Sequence, residues 1–228
     1  MLLIMTTELG PVPVEKTSTD VKAIPTGRTG KFYVFEGIDG SGKTTVSRKL
    51  FEKISQESHR EVLLTAEPTD CWLGDAVRRS YDENISPFTE ALLFMADRAN
   101  HTERIRDWLS KGIIVLCDRY NASTLAYQGA VLQKSMGDSA VEWLKSVSSH
   151  VIIEPDITFL FSVSPETALL RLDDRDEISK FERLGYLMEV DAIYRKVADE
   201  DPSFFVVDAS APLEDIVEEV LRAIKANL

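Results

Sequence analysis

Gly37-Ile38-Asp39-Gly40-Ser41-Gly42-Lys43-Thr44-Thr45 places three glycines, a lysine and two threonines in nine residues, one residue after the apolar run KFYVF. Glycines at that density cost order in any regular element. They also free backbone N–H groups to turn inward around a chain of phosphates. The stretch matches G-x-x-x-x-G-K-[ST], and it follows a predicted strand and opens a predicted helix, the context such a match requires. In that setting the helix start adds its positive end. Lys43 reaches the β- and γ-phosphates, and the Thr44 hydroxyl ligates Mg²⁺. A nucleoside triphosphate is the expected ligand, and residues 37–45 are its expected cradle.

A second polar cluster follows a second apolar run. Asp118-Arg119-Tyr120 ends GIIVLC, at the edge of a sheet where ligands of open α/β folds bind. Asp118 is placed to act on the metal or its waters, and Arg119 to touch phosphates in transfer. Arg119, Ser123 and Tyr127 recur at i, i+4 and i+8, one helical face with Gln128 beside it. On the helix expected over 87–110, Phe94, Arg98 and His101 recur at i, i+4 and i+7. An aromatic plate with a guanidinium one turn away can hold a planar base. Taken alone, that pattern favours Phe94 as plain core and Arg98 as a surface ion pair.

These residues need a scaffold, and the hydrophobic pattern supplies one. Short continuous runs rich in Val, Ile and Phe at 31–36, 61–65, 112–117, 157–161 and 204–207 read as strands buried on both faces. Helical stretches lie between them, at 43–57, 87–110, about 121–131, 139–149, 165–173, 180–199 and 212–226. In the second of these Phe88, Leu92, Met95 and Ala99 form the expected core stripe. Alternating strands and helices predict a three-layer α/β/α domain with a five-stranded parallel sheet over residues 31–228. Residues 1–30, with Pro11, Pro13, Pro25 and several glycines, read as a loose extension.

Of 228 residues, 44% are hydrophobic, enough for one large core, and the formal net charge is −12. An acidic chain is a poor non-specific nucleic-acid binder, so its cations must be concentrated where anions are handled. No apolar run approaches the roughly 20 residues that span a bilayer. Cys71 and Cys117 have neither metal nor redox spacing, which fits a reducing, cytoplasmic setting.

Five segments in order resemble the thymidylate kinase family: FEGIDGSGKTT at 35–45, EPT at 67–69, LFMADRANH at 93–101, DRYNASTLAYQG at 118–129 and PDITFLFSVSPETALLR at 155–171. The fourth is the most specific. The resemblance implies a P-loop kinase with a helical lid that phosphorylates dTMP to dTDP with ATP and Mg²⁺, in dTTP synthesis, as a homodimer. It implies that Phe94 stacks on thymine, Arg98 bonds a thymine carbonyl and Gln128 lies near N3. Tyr127 would sit beneath the deoxyribose and Asp39 would contact the acceptor sugar. Arg119 would bridge the two nucleotides' phosphates with Ser123 in support, and Glu67 and Pro68 belong to the same acceptor site. Thr44 and Asp118 would hold the metal.

Two departures matter. Many relatives carry arginine before the Glu-Pro pair, where this chain has Ala66; Arg78 or Arg79 is the expected substitute. Some relatives carry an arginine inside the P-loop, whereas residues 39–41 read Asp-Gly-Ser. In that subtype the catalytic arginine comes from the lid, here about 171–182. Arg175, framed by Asp173, Asp174 and Asp176, is the expected residue, with Arg171 second and a solvated charge cluster as the alternative. Ala66 also keeps a different acceptor open, such as dUMP, another deoxynucleotide or a deoxynucleoside. A nucleotide-dependent switch would need guanine-reading N-K-x-D, which the chain lacks.

Overall fold

The computed structural model describes residues 28–172 and 177–228. The elements run β1 (Lys31–Glu36), α1 (Lys43–Glu57), β2 (Val62–Ala66), α2 (Trp72–Ser80), α3 (Pro87–Ser110), β3 (Ile114–Asp118), α4 (Asn121–Met136), α5 (Ser139–Ser148), β4 (Ile157–Ser162), α6 (Pro165–Arg171), α7 (Glu177–Glu200), β5 (Phe204–Asp208) and α8 (Leu213–Asn227). The five strands pair in the order β2-β3-β1-β4-β5, every pair parallel. Alternation along β1 divides its side chains between two layers. Phe32 and Val34 pack with Ile105 and Leu109 of α3, while Tyr33 and Phe35 join Leu50 of α1 and Val220 of α8. The expected α/β class is the observed one.

The register matters for the site. Phe35 of β1 stands opposite Asp118 of β3, so the turns that leave these two strands emerge side by side. Each turn then feeds a helix, α1 and α4.

Three differences from the sequence reading have local causes. Helix α2 is absent from that reading. It is nine residues long and contains Gly74, whose missing side chain lets it lie against Thr69: a Cβ there would stand 1.9 Å from the Thr69 carbonyl oxygen. Helix α4 continues to Met136 and stops at Gly137, with φ 59°. On α3, Phe88 and Leu92 are exposed, at 38% and 49%. Of the expected stripe Met95 is buried and Ala99 half-buried, and the buried stripe runs through Ala91, Met95, Arg98, Thr102, Ile105 and Leu109. Ser86 caps that helix by accepting from the Phe88 N–H, with Pro87 in the first turn, as N-terminal signals lead one to expect.

At the head of the chain Arg28 pairs with Asp156 at 2.9 Å and donates to the Glu154 carbonyl at 3.0 Å. Gly30 N–H donates to Leu109 O at 2.9 Å. Residues 1–27 of the expected extension lie outside the described residues.

Candidate active site

The turn after β1 is built from backbone that only glycine adopts freely. Gly40 and Gly42 have φ of 82° and 88°, the left-handed region disfavoured for residues with a Cβ. A Cβ on Gly40 would also stand 2.2 Å from the Ala168 carbonyl oxygen. Gly42 is the N-cap of α1 and offers no side-chain acceptor, so the helix start has no internal anion of its own. Ile38 buries its side chain in the core and lends the loop its carbonyl, which accepts from Lys43 Nζ at 3.2 Å. Thr45 closes the first turn through its N–H to Gly42 O at 3.1 Å. The Ser41 hydroxyl is buried and has no partner.

Lys43 is 4% exposed. Burial, then the neighbouring Arg119 charge, pulls its ammonium from the ordinary 10.5 down to about 8, against the pull of Asp39, Asp118 and Glu36. A triphosphate docked in the cradle favours the charged form. Binding ATP at pH 8 should therefore draw in about half a proton at Lys43, and at about pH 6, where the lysine is already charged, none. Calorimetry in buffers of different ionisation heat measures this; no uptake at pH 8 would separate Lys43 from the bound phosphates.

Thr44 Oγ1 donates to Asp118 Oδ2 in a short hydrogen bond. Asp118 Oδ1 is buried without a partner. Among the described residues no group of three His, Cys, Asp or Glu side chains converges. A hydroxyl and one carboxylate with a spare oxygen suit Mg²⁺, which keeps waters and takes phosphate oxygens rather than an all-protein cage.

Arg119 stands between the two turns. It has φ 69°, the left-handed region, and precedes α4 rather than belonging to it. Its geometry therefore does not come from the shared helical face that its spacing implied. Its guanidinium still pairs with Asp39, donates to Ser123 Oγ at 3.2 Å and Gly37 O at 3.4 Å, and lies 5.1 Å from the centre of the Tyr127 ring. The Asp39 N–H donates to Tyr127 Oη at 2.8 Å. Beneath them is Glu36, fully buried. Its carboxylate accepts from Tyr120 N at 2.9 Å, Ser123 N at 3.1 Å, Ser123 Oγ at 2.6 Å and Tyr194 Oη at 3.1 Å. Burial raises its pKa, against the hydrogen bond from Ser123 and the Arg119 charge. Glu36 and Tyr194 were missed by sequence reasoning; a carboxylate closing an otherwise apolar strand was the available signal.

A third group lies between α3 and α4. Arg98 is 1% exposed, so it is no surface ion pair. Its Nε donates to Glu67 Oε2 at 2.9 Å, and Nη2 donates to Tyr120 O and Thr124 Oγ1, each at 2.9 Å. Nη1 is buried without a partner. Glu67 is engaged at both oxygens, the second by His101 Nδ1 at 2.9 Å, so it supports Arg98 and leaves neither oxygen free. Gln128 Nε2 donates to Glu90 Oε1 at 3.0 Å, and Gln128 Oε1 is buried without a partner. Phe94 is half-buried, its ring 6.4 Å from that of Tyr81. Glu90 and Tyr81 carried no sequence signal beyond a first-turn acid and a loop aromatic.

Ala66 and Pro68 line a cleft of about 570 Å³ together with Thr44, Arg48, Arg78, Arg104 and Asp118. Arg78 is held there by the carbonyls of Pro68 and Thr69, at 3.2 and 2.7 Å. Arg79 is largely exposed and pairs with Glu83 at 3.6 Å, so only the first of the two expected substitutes faces the cleft. Arg171 donates to Gly40 O at 3.3 Å and Ala209 O at 3.1 Å. Arg175 lies outside the described residues.

Among the described residues seven buried side-chain polar atoms have nothing to bond; Ser41 Oγ, Asp118 Oδ1, Arg98 Nη1 and Gln128 Oε1 lie within these three groups, and Arg106 Nε, Asn121 Oδ1 and Ser203 Oγ lie outside them. Each such orphan costs about 1–3 kcal/mol and calls for an explanation; for those within the three groups, a ligand that pairs with them supplies one.

The thymidylate kinase family model matches residues 35–220. A protein of Methanosarcina barkeri called "Probable thymidylate kinase" is 42% identical over 86% of this chain and 96% of its own length. Similar proteins with the same name come from Methanococcoides burtonii, 39% identical over 86% and 96%, and Pyrococcus horikoshii, 38% identical over 87% and 98%.

Proposed function

Because this chain belongs to the thymidylate kinase family of phosphotransferases, we propose that it transfers the γ-phosphoryl group of ATP to dTMP, giving ADP and dTDP for dTTP synthesis. The observation that carries the reading is the pairing of unmet atoms: oxygens beside the triphosphate cradle, and a buried arginine donor apart from it, between α3 and α4. A site for one nucleotide would need only the first set.

In this reading the cradle of residues 37–45 grips the triphosphate and Lys43 neutralises the γ-phosphate as it leaves ADP. Thr44 and Asp118 hold Mg²⁺, which supplies further charge neutralisation at the phosphates. Arg119 reaches both nucleotides' phosphates, held by Ser123 and Asp39, and Asp39 also faces the acceptor sugar. Tyr127 packs under the deoxyribose. Arg78 takes the acceptor phosphate in place of the arginine missing at residue 66. Positioning and charge do the work, and no covalent nucleophile is needed.

Phe94 supplies a face for thymine. Phe94→Ala should weaken dTMP binding by about 1–3 kcal/mol, the range for base–aromatic stacking, with ATP affinity unchanged. Titration calorimetry of each nucleotide checks this; equal weakening of both would make Phe94 plain core.

Exposed Phe88 and Leu92 on α3 support a homodimer formed through that helix. Among the described residues no helix is long and apolar enough to cross a membrane. Ala66 favours one rival, a kinase of the same family with another acceptor such as dUMP. A coupled ADP-release assay over a panel of nucleoside monophosphates decides: dTMP should give the highest kcat/KM, and a larger value for any other acceptor overturns the reading.

A further inference from the structure

Helices α3 and α4 are joined by two polar rungs. Glu90 bonds Gln128 and Arg98 bonds Thr124. On α3 the two rung residues stand at i and i+8, with Phe94 between them at i+4, so all three share one face. On α4 their partners stand four residues apart, at Thr124 and Gln128. Each rung leaves one buried atom unmatched, Oε1 of Gln128 and Nη1 of Arg98. One is an acceptor and the other a donor.

An amide side chain can present either end, and what it presents to its fixed neighbour decides what it presents to a ligand. A carboxylate only accepts. Glu90 therefore takes the Nε2 end of Gln128 and leaves Oε1 for the ligand. We infer that Glu90 is a positioning residue that sets base specificity, by locking the Gln128 amide with its oxygen toward the acceptor base. The inference rests on the reading of the acceptor as a pyrimidine monophosphate. With Arg98 Nη1 as the donor, the acceptor–donor pair matches a ring N–H beside a carbonyl, the lactam edge of thymine and uracil. Cytosine shows the reverse, a ring nitrogen acceptor beside an amino donor. In that pairing oxygen would face nitrogen lone pair and guanidinium would face an amino group. A site built for one pattern rejects the other because its polar groups are left unpaired.

The test is kcat/KM for dTMP, dUMP and dCMP at saturating ATP, on the parent, Glu90→Gln and Glu90→Leu. Glutamine has nearly the same shape but both donates and accepts, so Gln128 is free to turn. The expected result is that the ratio of dTMP to dCMP falls about tenfold or more in Glu90→Gln, the scale of one charge-assisted hydrogen bond. Glu90→Leu, which removes the partner altogether, should do the same, and KM for ATP should be unchanged in both. If dTMP and dCMP lose equally, Glu90 is only structural and the inference falls. If the ratio stays within about twofold in both variants while their melting temperatures match the parent, it falls too. If the parent phosphorylates none of the three, the acceptor reading itself is what fails.

Discussion

Lys43→Met is expected to lower phosphoryl transfer by about 10³-fold, the scale of removing one preorganised charge from a transition state, and at the same time to make the free protein more stable. The two effects have one cause. The ammonium is 4% exposed, and its pKa is about 8 in place of 10.5. Each unit is worth 1.36 kcal/mol, so holding the buried charge costs the free fold on the order of 3 kcal/mol. Methionine keeps the apolar stem and discards the charge. The sign follows from linkage: between pH 8 and 10.5 the unfolded chain binds more protons than the folded one, so parent stability rises with pH there. The advantage of the variant is therefore full below pH 8 and fades as pH approaches 10.5. Denaturant unfolding at pH 7 and 10, with turnover on ATP and dTMP, measures both. A variant that is less stable at pH 7 and still active would mean that Lys43 serves the fold and not the phosphates.

How much of this was legible in the sequence depended on how local each feature is. The strand-turn-helix around residues 37–45 is contiguous, and its glycines announce backbone that other residues avoid. The inner strands β1, β3 and β4 showed as apolar runs because both their faces are covered, and the edge strands β2 and β5 kept the same signal although they are only partly buried. Helix α3 showed as a helix with its buried face rotated: Met95 of the expected stripe is buried, but Phe88 and Leu92 are exposed, and the stripe the fold buries runs through Arg98. An arginine counts as polar in any such pattern, and only the partners Glu67, Tyr120 and Thr124, brought in from other elements, make its burial tolerable. The same holds for Glu36, whose contact with Tyr194 spans 158 residues, and for Glu90, whose partner is 38 residues away. Long-range polar pairs leave no period in the chain. Helix α2 stayed hidden because Gly74 reads as a breaker, whereas in the fold it permits close approach to Thr69.

Arg171 and Arg175, the two candidates for the catalytic arginine, should separate by the kind of damage their loss does. Arg119 is held by Asp39 and Ser123 at the edge of the sheet, and Lys43 sits in the cradle. The charge that develops on the transferred group calls for a further cation, and no residue at positions 39–41 supplies it. Arg171 is already engaged. Its guanidinium spans the carbonyls of Gly40 and Ala209 and so ties the cradle to the turn after β5. Arg171→Ala should loosen that tie, raising KM for ATP about tenfold while kcat changes only a few-fold. For Arg175 we propose the catalytic part. Arg175→Ala should cut kcat by about 10³-fold or more, as for an arginine finger, with ATP and dTMP still bound. Arg175→Lys should restore little of it, because a point charge does not reproduce a planar fork. Single-turnover rates with equilibrium binding of both nucleotides distinguish the cases. If Arg171→Ala is the variant that loses kcat and Arg175→Ala is fast, the catalytic arginine is the one that bridges Gly40 and Ala209. If both are fast, transfer needs no arginine beyond Arg119.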